Sequence, residues 1–80
     1  MNKRIATMSI FVENRDSIAS INSILMDFSD IIISRMGIPY REAGISVIVL
    51  ILETDNDKIG SLSGKMGNLK GVSVKTATKK

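Results

Sequence analysis

The sequence predicts an α+β fold: a four-stranded antiparallel sheet with two helices packed on one of its faces. Three observations predict it. Segments with strand-type alternation stand near both ends of the chain, Arg4 to Val12 and Val72 to Thr78. Two segments carry apolar residues at helical spacing, Ile18 to Phe28 and Ile59 to Leu69. Between those helices lie two β-branched runs, so the elements read strand, helix, strand, then strand, helix, strand.

In the first strand, Ala6, Met8, Ile10 and Val12 fall on one face and Ile5, Thr7, Ser9 and Phe11 on the other. Turn and capping residues follow in the stretch ENRDS, where Asn14 or Asp16 can accept from the free amides of a helix start. Ile18, Ile21, Leu25 and Phe28 make the apolar stripe of the first helix, widened by Ile24. Ile31 to Tyr40 is the second strand. Within it Gly37 is expected to mark a bulge or a close approach, and Pro39 a strand end or an edge. After REAG, Ile45 to Glu53 is the third strand and the strongest strand signal in the chain. TDND caps the second helix, whose stripe is Ile59, Leu62, Met66 and Leu69, and Gly71 is expected to end it. Val72 to Thr78 is the fourth strand. With short connections and right-handed crossovers, the order βαββαβ becomes a split βαβ sandwich, the ferredoxin-like fold. A chain of 80 residues is enough for one such domain, expected over residues 1–80, and no linker or low-complexity segment interrupts it.

A sheet covered on one side only should alternate apolar and polar residues. Val47, Ile48, Val49, Leu50, Ile51 and Leu52 do not alternate. Both faces of the third strand are apolar, so Val47, Val49 and Ile51 are expected at an interface that covers the open face. Leaving such side chains in water forfeits roughly 1.5–3 kcal/mol each, and domains of this size are marginally stable alone. A homo-oligomer, a dimer or tetramer, is therefore expected.

Composition narrows the chemistry. There is no cysteine and no histidine, which removes disulfides, thiolate nucleophiles, the usual soft metal sites and the commonest proton carrier near neutral pH. No metal site and no cofactor is expected. The formal charge of +3 comes partly from Lys3 and Arg4 at one end and Lys79 and Lys80 at the other, a weak basis for a nucleic-acid partner. Thr7 and Ser9 interrupt the apolar start and no small-residue cleavage site follows, so no signal peptide is read there. The longest apolar run, Val47 to Leu52, is far short of a membrane span. The expected location is the cytoplasm, with no membrane partner.

GSLSGKMG, Gly60 to Gly67, resembles a phosphate-binding loop but fails its spacing. Only Ser61, Leu62 and Ser63 separate Gly60 from Gly64, and Met66 stands where a hydroxyl must reach magnesium. At roughly 100° per residue, Gly60, Gly64 and Gly67 instead share one side of the second helix, opposite its apolar stripe. Two accounts of them stand: close approach of another backbone or a ligand, or a loosened helix with an early end at Gly67. Glu53, Asp55 and Asp57 alternate like calcium ligands. Counted from Glu53, however, the positions that need glycine and glutamate hold Lys58 and Gly64, so helix capping explains these acids. The turn after the first strand can hold an anion at the helix start, with Arg15 assisting, or Arg15 can simply be solvated. Tyr40 and Arg41 form a second candidate pair. No convergent pair of titrating groups is visible, so no catalytic residue is assigned and the chain reads as a non-enzyme.

Other uses of this layout fit poorly. The third strand has no aromatic residue for stacking RNA bases, and Phe11 is the sole aromatic of the first. Metal-carrying chaperones need a Cys-x-x-Cys pair, and acylphosphatases need a glycine-rich turn beside the arginine of ENRDS.

The stretches TDNDKIGSLSGKMGNLKGVSVKT and RMGIPYREAGISVIVLILETDND, with RIATMSIFVENRD at the start, resemble the family of iron-only hydrogenase system regulators. The resemblance covers nearly the whole chain and is most specific in the second half. That family is ACT-like and similar in shape to the effector domain of nickel-responsive regulators. The resemblance implies a regulatory role, possession of the ferredoxin-like fold and assembly into dimers or tetramers. It also implies a small-molecule effector at a subunit interface near the turn after the first strand, here Glu13, Asn14, Arg15 and Ser17. The glycine usual in that turn is absent, which counts against an amino acid as the effector. Nickel sensing is not carried over, because its histidine and cysteine ligands are missing. Direct DNA binding is not carried over either, because the first strand begins almost at Met1. The alternative is a protein-interaction or assembly subunit with no ligand of its own, docking through the apolar sheet face or the glycine side of the second helix.

Overall fold

The structure, a computed structural model, describes residues 3–79. Lys80, counted above in the basic C-terminal end, lies outside the described residues. The strands are β1 (Arg4–Val12), β2 (Ile32–Tyr40), β3 (Ile45–Thr54) and β4 (Val72–Thr78). The helices are α1 (Ile18–Asp27) and α2 (Asn56–Gly67). One four-stranded antiparallel sheet has the order β2-β3-β1-β4. This is the ferredoxin-like α+β fold expected from the order of elements.

The period-two pattern of β1 decides which face is covered. Ala6, Met8, Ile10 and Val12 are all buried, and so are Ile48, Leu50 and Leu52 of β3. They meet Ile21 and Leu25 of α1 and Ile59, Leu62 and Met66 of α2 in one core cluster. Val72 and Val74 of β4 pack against the same cluster. Burying side chains of this size is the main favourable term in folding.

Three local features differ from the sequence expectations. Ile31 does not open the second strand but closes a 3-10 turn, Ser29–Ile31, and is buried in the core. The bulge in β2 lies at Ile33 rather than Gly37: Ile32 pairs with Leu52, but Ser34 pairs with Ile51. At Gly37 a Cβ would meet Ile48 Cγ1 at 3.9 Å, an ordinary contact, so nothing there calls for glycine. The helix α2 ends at Gly67, not at Gly71. After it the chain turns through N–H donations from Leu69 to the Met66 carbonyl and from Val72 to the Leu69 carbonyl. Gly71, at φ 71°, brings that turn into β4.

The bulge has a consequence for the sheet. It inserts one residue into β2 and reverses which of its side chains face the helices. Arg35 now points to the helix side, where its guanidinium donates to Asn22 Oδ1 of α1 at 3.5 Å. Met36, Ile38 and Tyr40 fall opposite Val49, Val47 and Ile45 on the open face. Pro39 lies on this edge strand, where its missing N–H disturbs least.

Candidate functional site

The first turn of the site is held by one local cap and two long-range hydrogen bonds. Asn14 Oδ1 accepts from the Asp16 N–H at 2.9 Å and caps a 3-10 turn, Arg15–Ser17, that leads directly into α1. Of the two cap candidates, Asn14 does the capping, since its extended backbone aims the side chain at that amide. The hydroxyl of Ser17, which is buried, donates to the Lys70 carbonyl at 2.6 Å. The Glu13 N–H donates to the Gly71 carbonyl at 2.8 Å. Gly71 is needed for this approach: a Cβ there would lie 2.7 Å from Asn14 Cβ.

The second turn is the connection between β2 and β3. A 3-10 turn, Arg41–Ala43, is closed by the Gly44 N–H donating to the Arg41 carbonyl at 3.1 Å. Gly44, at φ 69°, then reverses the chain into β3. Register brings the two turns together, because Val12 at the end of β1 pairs with Ser46 at the start of β3.

Between them lies a cleft of about 440 Å³. Glu13 and Arg15 line it from the first turn, and Tyr40 and Arg41 from the second. Its apolar lining comes from Val12, Ile18, Pro39 and Ile45. The two candidate groups that the sequence kept apart, the ENRDS turn and the Tyr40–Arg41 pair, thus belong to one depression. Of the four residues of the first turn, Glu13 and Arg15 line the cleft, whereas Asn14 and Ser17 are tied to backbone groups behind it. Arg41 was visible in the sequence, but that it lines the same cleft as Arg15 depends on the β1–β3 register.

Of the interface candidates, Val47 and Val49 are half-buried and Ile51 is exposed, all on the open face of the sheet. Sequence reasoning missed the more exposed part of that face, which lies on β2: Met36, Ile38 and Tyr40 are 57%, 51% and 49% exposed. Their alternation at every second residue was the available signal. Phe11 and Ile5 of β1 extend the apolar half, while Ser73 and Lys75 make the β4 side polar. Gly60, Gly64 and Gly67 lie on the exposed side of α2, with nothing within 4 Å of an added Cβ.

Among the described residues there is no group of three or more histidine, cysteine or acidic side chains that could hold a metal ion. No helix of the described residues is long and apolar enough to cross a membrane.

Fold and cleft together define a small ferredoxin-like domain with one bare, largely apolar sheet face and a charged cleft at the end of that sheet. Residues 4–76 match the family described as "TM1266-like: Iron-only hydrogenase system regulator, putative". The chain belongs to this family. It is similar to the uncharacterized protein TM1266 from Thermotoga maritima, with 42% identity and a TM-score of 0.94 over 99% of this chain and 100% of that one. It also resembles the de novo designed protein Foldit4 over 99% of this chain and 100% of that one. At 18% identity and a TM-score of 0.53, that likeness shows the fold alone. No functionally curated protein matches the chain.

Proposed function

We propose that the chain is a non-catalytic regulatory domain of the iron-only hydrogenase system type, working in the cytoplasm as a homo-oligomer, a dimer or tetramer. A small-molecule effector in the cleft biases its assembly. The observation that carries this reading is the open face of the sheet, where Met36, Ile38, Tyr40 and Ile51 are each 40% exposed or more in a single chain. Monomers seldom leave a large apolar patch in water. A second copy of the same face offers a complementary cover. Cleft and face adjoin, since Tyr40 and Ile45 pair on the open face and both line the cleft. An effector with higher affinity for one assembled state shifts the population toward it by that difference in affinity. Neither nucleic acid nor membrane enters this reading.

The test is a thermal-shift screen of metabolites paired with mass measurement in solution. A ligand that raises the melting temperature and changes the mass distribution supports the reading. A clean monomer that responds to no ligand removes it.

A second reading is a protein-docking subunit with no effector. It is favoured by the bare glycine side of α2, which allows close approach of another backbone. Affinity capture of a different protein, lost in variants that add side chains at Gly60 and Gly64, would distinguish it.

A further inference from the structure

We propose that the cleft takes a small organic anion, whose carboxylate or phosphate group lies between the guanidinium groups of Arg15 and Arg41. This inference rests on the ligand-sensing reading above and specifies the chemistry of its ligand.

Both arginines line the cleft, and Glu13 is the one acid among the lining residues, so the depression is cationic by one charge. Each arginine stands on a clamped turn rather than a loose loop. The Asn14 cap and the bond from Ser17 to the Lys70 carbonyl fix the turn that carries Arg15. The Gly44 N–H closes the turn that carries Arg41. Backbones held in this way limit what a ligand must order on binding.

Among the described residues, side-chain hydrogen bonds involve Asn14, Ser17, Arg35 with Asn22, Tyr40 with Glu42, and Asp55. Among these described residues no side-chain acceptor engages the Arg15 or the Arg41 guanidinium. The acid next to Arg41 in sequence, Glu42, accepts instead from the Tyr40 hydroxyl at 3.3 Å. Two planar, permanently charged forks on residues lining one depression match the oxygens of a carboxylate or phosphate, which accept paired N–H donors. The apolar lining from Val12, Ile18 and Ile45 suits the carbon skeleton of an organic anion. A volume of about 440 Å³ falls in the range of small-molecule sites.

The experiment is calorimetric titration of the full chain with inorganic phosphate, succinate and citrate, with glycerol as an uncharged control, at constant ionic strength. At least one oxyanion is expected to bind saturably and glycerol is not. Arg15→Ala and Arg41→Ala should each weaken that binding by about tenfold or more, the scale of a lost charge-assisted hydrogen bond. Arg15→Lys and Arg41→Lys should retain part of it. Arg35→Ala, which is not among the residues lining the cleft, should leave it unchanged. Preference for phosphate would assign a phosphoryl ligand and preference for succinate or citrate a carboxylic acid, and either supports the proposal. Absence of saturable oxyanion binding, or equal loss in Arg35→Ala, overturns it. A neutral molecule that binds the cleft equally well in Arg15→Ala and Arg41→Ala overturns the anion inference and leaves ligand sensing standing. Silence from every ligand, charged or neutral, overturns both.

Discussion

Gly44 and Gly71 share a left-handed backbone, at φ 69° and 71°, but their surroundings differ. A Cβ at Gly44 meets nothing within 4 Å, whereas one at Gly71 runs into Asn14. Alanine in the left-handed region costs roughly 1–2 kcal/mol. Gly44→Ala should therefore lose about that much stability in chemical denaturation. Gly71→Ala should lose clearly more, because it also pushes Asn14 off the turn it caps. Equal losses would contradict the close approach. Gly60 and Gly64 are the reverse case, since both lie in a helix with open space around them. Alanine at either should stabilise the isolated chain by up to about 1 kcal/mol, measured as a raised denaturation midpoint. If these variants also lose a partner, the glycines serve docking. The sequence placed these helix glycines away from the core through angular spacing alone. It did not reveal the need for Gly71, because Asn14 is its neighbour only in the folded chain.

Among the elements, α2 shows how a local signal survives folding. Asp55 Oδ1 accepts from the Lys58 N–H at 2.9 Å, the cap that the stretch TDND announces. Asp55→Ala should cost about 1 kcal/mol, read from the same denaturation curves, with the fold unchanged in circular dichroism. The strand β1 was equally legible, since Ala6, Met8, Ile10 and Val12 repeat at the strand period and all are buried. The strand β2 was legible in existence but not in phase. Ile31, Ile32 and Ile33 are all apolar, so nothing in the pattern says where the extra residue enters. Pairing with β3 decides it, and with it which side chains reach the open face. The cleft shares this limit. Arg15 and Tyr40–Arg41 each stood out in the sequence, but the pairing of Val12 with Ser46 makes them one site.

For the whole molecule, the unalternating run Val47 to Leu52 announced a sheet with two apolar faces, and among the described residues one of them is covered and the other is not. The helices bury Ile48, Leu50 and Leu52, while Ile51 remains 40% exposed beside Met36 and Ile38. Covering one such side chain is worth roughly 1.5–3 kcal/mol, so several together favour association strongly. A charge placed in the patch should reverse this. Ile38→Lys should shift the protein to monomer while leaving its circular dichroism intact, because Ile38 takes no part in the core cluster. Sedimentation velocity of the unmodified protein across a wide concentration range tests the central claim most directly. The account predicts a mass of two or four times 8.7 kDa. A single 8.7 kDa particle persisting at high concentration would contradict it.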